Sequence, residues 1–214
     1  MEQVFHIFGY LKDSSKRKLG FDPGHLKIDI NRFHRFDWQD FYKGVKEAIP
    51  PNMPKPRGNS VSKYYFVDAN HAGNKVTHRS QTGILIFVSK DMIIAFSQRQ
   101  NTVETSTFGS KFTALKNSFK LVEALRYKLR MFGVPIEGTT NVFCDNELVY
   151  KNTSTPESVL KKKHHSSEYH CCREAVAAPT IRISKEPTAT NLSDLFTKML
   201  SQFVRENLLD WFTY

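Results

Sequence analysis

Five apolar residues, Phe108, Phe112, Leu115, Phe119 and Val122, recur at intervals of 4, 3, 4 and 3. At about 100° per residue this spacing lines all five along one stripe of a helix, and such a stripe must be buried against another apolar surface. The residues before it provide one. Lys63–Val67, Thr82–Val88 and Met92–Ser97 are rich in β-branched and aromatic side chains and read as strands, the last two joined through Ser89-Lys90-Asp91 as a hairpin. The helix is expected from about Ser106 to Phe132, with Gly133 and Pro135 ending it. Beyond it the pattern predicts a strand at Asn141–Cys144, a short helix at Glu147–Lys151 and a basic helix at Lys161–Ala178. A last strand at Thr180–Ser184 and a helix at Asn191–Leu200 complete the order βββαβααβα, that of a mixed α/β domain.

Upstream, Ile49–Gly58 carries four prolines in ten positions. Each fixes φ and lacks a donor, so an extended linker is expected there. Residues 1–48 hold a short helical candidate (Glu2–Lys12), a basic turn (Ser14–Lys18) and an aromatic cluster of Phe33, Phe36, Trp38, Phe41 and Tyr42. So short a piece buries too little surface to stand alone and is expected to be an appendage. The resulting division is 1–48, a linker at 49–60, the α/β domain at 61–200 and a tail at 201–214.

The chain has 214 residues and a formal charge of +10. A basic surface of this size invites a nucleic-acid partner, though it also serves solubility. No apolar run approaches the roughly 20 residues of a membrane-spanning helix, so no membrane partner is expected. Met1–Val4 lacks the layout of a secretory signal, and three cysteines make no disulfide framework. An intracellular setting, cytoplasm or nucleus, follows as the expectation.

Asp68 closes the first expected strand and Asp145 the fourth, where open α/β sheets assemble sites. Asp194 stands early in the helix after the last strand, with Asn191 as its N-cap. Three converging carboxylates suit Mg²⁺ or Mn²⁺. Each aspartate taken singly is better read as a turn former or a helix-dipole partner; the three together, in this order of elements, shift the balance.

Several stretches in series resemble the ribonuclease H domain of copia-type LTR retrotransposon polyproteins. They are Val67–Gly73, Ser80–Gly83, Ser97–Gln100, Ser106–Phe112, Cys144-Asp145-Asn146 and Leu192–Lys198. Val4–Lys12 is similar to the last helix of the reverse transcriptase region that precedes that domain. The resemblance implies a ribonuclease H-like fold: a five-stranded mixed sheet flanked by helices, with residues 1–48 as a reverse transcriptase tail. It implies a two-metal (Mg²⁺ or Mn²⁺) site that hydrolyses RNA in RNA–DNA hybrids. Asp68, Asp145 and Asp194 fall on three of its four carboxylate positions. It implies RNA–DNA hybrid or RNA as partner, together with the rest of a reverse transcriptase.

At the fourth position, where the resemblance calls for glutamate, stands Lys111. The exchange removes a negative ligand and adds a positive charge. At 4 Å and an effective dielectric near 20 each unit pair is worth about 4 kcal/mol, and a divalent ion doubles that. Glu104 and Glu123 are too far along the chain to substitute. A defective two-ion site with weak or absent hydrolysis is therefore expected, the alternatives being a non-catalytic nucleic-acid-binding or scaffold domain, or a decaying transposon remnant.

Lys161–Cys172 contains histidines and adjacent cysteines, but adjacent cysteines suit a tetrahedral zinc site poorly, so a basic helix is the better reading. Cys144 reads as core. Lys116, Lys120, Arg126, Lys128 and Arg130 read either as the solvent face of the long helix or as phosphate contacts.

Overall fold

In the computed structural model, residues 9, 12, 15–20, 22, 24, 26–136, 138–161 and 163–213 are described. The helix expected at Glu2–Lys12 lies outside them, save Gly9 and Lys12. Five strands form one sheet: β1 Lys63–Asn70, β2 Gln81–Val88, β3 Asp91–Arg99, β4 Thr140–Cys144 and β5 Ile181–Lys185. Their order is β3-β2-β1-β4-β5, with β1, β2 and β3 antiparallel and β4 and β5 parallel to β1. The helices are α1 Thr107–Met131, α2 Glu147–Ser154, α3 Ser166–Ala177 and α4 Gln202–Leu209. This is the five-stranded mixed sheet with flanking helices expected from the sequence. No helix among the described residues is long and apolar enough to cross a membrane.

The stripe on α1 does what its spacing requires. Phe112, Leu115, Phe119 and Val122 are buried with Tyr65, Val67 and Ala69 of β1 and Ile84 and Ile86 of β2. Ser106 caps the helix by accepting from the Gly109 amide, and Gly133, at φ 71°, ends it. The alternate residues of β1, Tyr64 and Phe66, face the other side of the sheet. That face is covered from both ends of the chain, by Phe33, 5.4 Å from the Phe143 ring, and by Leu208 of α4.

Four expectations need correction. The β1–β2 ladder runs on through Ala69–Thr82 and Asn70–Gln81, so Asp68 lies inside β1 and not at its end. The helix expected at Asn191–Leu200 is only a 3₁₀ segment, Leu192–Phe196, because Thr197 leaves helical geometry at φ −120°. Ser201 then caps the unforeseen α4. The aromatic cluster splits: Phe33 packs on the sheet, while Trp38 and Tyr42 meet edge to face near Arg173 of α3, and Phe36 and Phe41 stay exposed.

Candidate functional site

Register brings the first two aspartates together. Val67 and Cys144 form the last parallel pair between β1 and β4, so Asp68 and Asp145 follow side by side at that end of the sheet. Asp194 arrives from the 3₁₀ segment, whose entry is fixed by Asn191 accepting from the Ser193 amide and donating to the Val67 carbonyl. One carboxylate oxygen of each aspartate lies within 4.8 Å of the others.

Two ammonium groups sit among these oxygens. Lys111 Nζ is 2.5 Å from Asp145 Oδ1 and 2.9 Å from Asp68 Oδ1. Lys198 Nζ donates to both oxygens of Asp194 at 2.8 Å and lies 3.5 Å from Asp68 Oδ2 and 3.8 Å from Asp145 Oδ2. Thr197 donates to Asp68 Oδ2 at 2.5 Å. The 2.9 Å contact with the Lys111 ammonium is the pairing of Asp68 Oδ1, as Thr197 is that of Oδ2. Formal charges of −3 and +2 leave −1 if every group is ionised.

The environment separates the acids. Burial opposes ionisation of Asp68, but the Lys111 charge, the Thr197 hydroxyl and Lys198 outweigh it and hold this carboxyl below the ordinary range. Burial likewise opposes charge on Lys111, and Asp68 and Asp145 reverse that, raising its pKa. For Asp194 burial prevails over the Lys198 bond, and with repulsion from Asp68 it lifts the carboxyl to about 6.

No protein-family model matches the chain. It is 24% identical over 203 residues to the retrovirus-related Pol polyprotein from transposon RE2 of Arabidopsis thaliana, covering 90% of this chain and 14% of that protein. The Pol polyprotein from transposon TNT 1-94 of Nicotiana tabacum is 27% identical over 135 residues, covering 63% of this chain and 10% of that protein. The chain is thus similar to retrovirus-related Pol polyproteins of plant transposons. It spans about 14% of the length of the Arabidopsis relatives.

Among solved structures, LC11-RNase H1, isolated from compost, superposes with a TM-score of 0.49 at 17% identity, covering 65% of this chain and 94% of that one. The N-terminal RNase H domain of a Mycobacterium tuberculosis protein gives 0.48 at 15%, covering 71% and 95%.

Thr197 and Lys198 join the cluster without having been expected from the sequence, although both stand in the Leu192–Lys198 stretch. The sequence also left Arg126 and Arg130 open as phosphate contacts. Arg126 is buried, and both arginines hold Glu47 bidentately at 2.6 Å, so neither faces a ligand. Lys116 pairs with Glu168 at 2.8 Å, while Lys120 and Lys128 are exposed. Cys144 is core, its thiol pushed up to about 12 by burial.

Gly83 sets the position of Asp194 from across the sheet. A Cβ there would stand 2.7 Å from Thr197 Cγ2 and 2.9 Å from the Ser193 carbonyl. Gly83→Ala therefore pushes the 3₁₀ segment away from β2. It is expected to lower stability by about 1–3 kcal/mol, read as a lower urea midpoint with unchanged slope.

Proposed function

We propose that this chain is a retrotransposon-derived ribonuclease H-like module that engages RNA–DNA hybrid or RNA and hydrolyses it weakly or not at all. Asp68, Asp145 and Asp194 are the residues assigned to a nuclease centre. Three carboxylates converging within 4.8 Å are a donor set suited to a hard divalent ion. The full set of residues does not fit a pair of such ions. Lys111 Nζ, held 2.5 Å from Asp145 and 2.9 Å from Asp68, occupies the space between two of the three ligands, and this observation carries the reading. Like-charge repulsion from a cation so close disfavours a second ion by several kcal/mol.

Residues 1–48 are read as the end of a preceding reverse transcriptase region, 49–60 as a linker, 61–200 as the ribonuclease H-like domain and 201–214 as its tail. The packing of Phe33 and Leu208 on one sheet face supports a second role, in which the domain acts as a scaffold for neighbouring polymerase parts.

The test uses a labelled RNA–DNA hybrid with Mg²⁺ or Mn²⁺. The protein is expected to bind in chelator, with affinity falling as salt rises, and to cleave no faster than the chelator control. Lys111→Glu is expected to gain divalent-dependent cleavage. Full cleavage by the unmodified protein, with no gain on this substitution, would overturn the proposal.

A further inference from the structure

A second cluster of metal-ligating side chains lies on the opposite side of α1's first turns. Glu104 sits in the loop before α1, and His164 and His165 in the 3₁₀ turn Lys163–His165 before α3. A ring nitrogen of each histidine and a carboxylate oxygen of Glu104 lie within 4.8 Å of one another. All three line one open cleft of about 700 Å³. We propose that Glu104, His164 and His165 form a binding site for a transition-metal ion, Zn²⁺ in the first instance, separate from the aspartate cluster.

The supporting geometry is specific. Glu104 Oε1 accepts from the hydroxyls of Thr102 at 3.0 Å and Thr113 at 3.4 Å. Those bonds turn Oε2 toward His165 Nε2, 3.4 Å away. The His165 ring is buried and set edge-on against Phe108 and Phe112, with centroids at 6.1 and 6.3 Å, which fixes its plane. The His164 ring lies 4.1 Å from it, centroid to centroid. Gly109 makes room for the pair: a Cβ there would stand 2.7 Å from both Glu104 Oε2 and His165 Nε2.

The chemistry of the set selects the ion. Two borderline imidazoles with one hard carboxylate make the His₂Glu set that suits the borderline ion Zn²⁺ and leaves a fourth position for water or a ligand oxygen. The hydroxyls on Oε1 are outer partners of the sort that orient metal-binding carboxylates. Tetrahedral zinc brings its ligands to roughly 3.4 Å from one another, so closing the site moves each group by about 1 Å. The exposed His164 and the loop bearing Glu104 provide that travel. Lys116, on the cleft wall, is paired with Glu168 at 2.8 Å, which tempers its repulsion of an entering cation. In the sequence the site is hidden because Glu104 lies 60 residues before His164, and the neighbouring Cys171 and Cys172 take no part.

The inference is independent of the nuclease reading, and its test needs no substrate. Zn²⁺ is titrated by calorimetry into the full, untagged chain, and Co²⁺ is titrated in parallel by absorption spectroscopy. One ion per chain is expected, with visible Co²⁺ bands and no thiolate charge-transfer band. Glu104→Gln and His164→Asn, both at positions with some solvent access, are each expected to lose roughly tenfold or more in affinity. Gly109→Ala, which favours the helix while filling the gap, is expected to do the same with the fold kept. Asp194→Asn should leave zinc affinity unchanged. The proposal falls if no stoichiometric binding occurs, if binding survives all three substitutions, if it is lost in Asp194→Asn, or if thiolate bands trace the ion to cysteines. Should Gly109→Ala fail to fold, the other two variants decide.

Discussion

Lys111→Met is expected to lower the unfolding free energy by about 3–5 kcal/mol at pH 7, to be read by urea denaturation in chelator. The side chain of Asp68 has no solvent exposure and that of Asp145 only 6%, and Lys111 is the cation that touches both within 3 Å. Methionine keeps the packing of the aliphatic stem but leaves the two buried carboxylates with Lys198 as their nearby cation, at 3.5 and 3.8 Å, beside the Thr197 hydroxyl on Asp68. The cost is chiefly that of the charges left behind, since the intact pair itself adds little net stability. Adding Mg²⁺ should then recover part of the loss in the variant and change the unmodified protein little, because Lys111 already neutralises the same oxygens. A loss under about 1 kcal/mol would mean that water or Lys198 compensates freely, and the cluster would not be the tightly charged unit described here.

The pH profile of the unmodified protein follows from the same groups. Asp68 is held below its ordinary pKa, so its contribution is present above about 4 and is lost on acidification below that. Asp194 acts in the reverse sense. Its folded pKa of about 6 exceeds the ordinary 3.8, so folding retains its proton and stability falls as pH rises between those values. Fold and site chemistry pull against one another at this residue, as is common where charges are gathered for function.

How much of this was legible beforehand varied with the range of the interaction. The α1 stripe and the three central strands declared themselves because their periodicity is local and repeated. The gathering of Asp68 and Asp145 could be read because both follow the last residues of a parallel pair, and Asp194 because Asn191 marks where its segment starts. Lys198 and Thr197 escaped notice for lack of any periodic signal: their roles depend on the chain leaving helical geometry at Thr197 to reach Asp68. The arginines of α1 look like a solvated face in sequence, since nothing local announces that Glu47, 79 residues before Arg126, will meet them. For the same reason α4 looked like a tail. Its one buried residue, Leu208, is buried by the far face of the sheet and not by its neighbours in sequence.

That arginine pair yields the other large effect. Glu47→Ala is expected to cost about 3 kcal/mol at pH 7, the lower end for a broken buried pair because the Glu47 side chain keeps 19% exposure. Arg126, 5% exposed, would retain only the Gly138 carbonyl at 2.9 Å and the Thr140 hydroxyl at 3.2 Å, while the Arg130 fork would lose both its bonds. Burial works against charge on Glu47, but the four hydrogen bonds and the two guanidinium charges bring its pKa from 4.5 down to about 2. A depressed acid stabilises the fold fully above its unfolded pKa and loses that contribution on the way down to its folded one. The gap between unmodified protein and Glu47→Ala should therefore be widest above pH 4.5 and narrow steadily toward pH 2, in urea titrations at each pH. Because Glu47 precedes the proline-rich segment and its partners lie on α1, the same substitution should free the leading segment from the sheet. Limited proteolysis would then cut before residue 60 well before the α/β domain is attacked. If the segment stays protected and the gap is flat with pH, the clamp is an ornament of the surface, and the docking of residues 26–48 rests on its other contacts, Phe33 and Trp38 with the Arg32–Glu186 and Tyr42–His170 bonds.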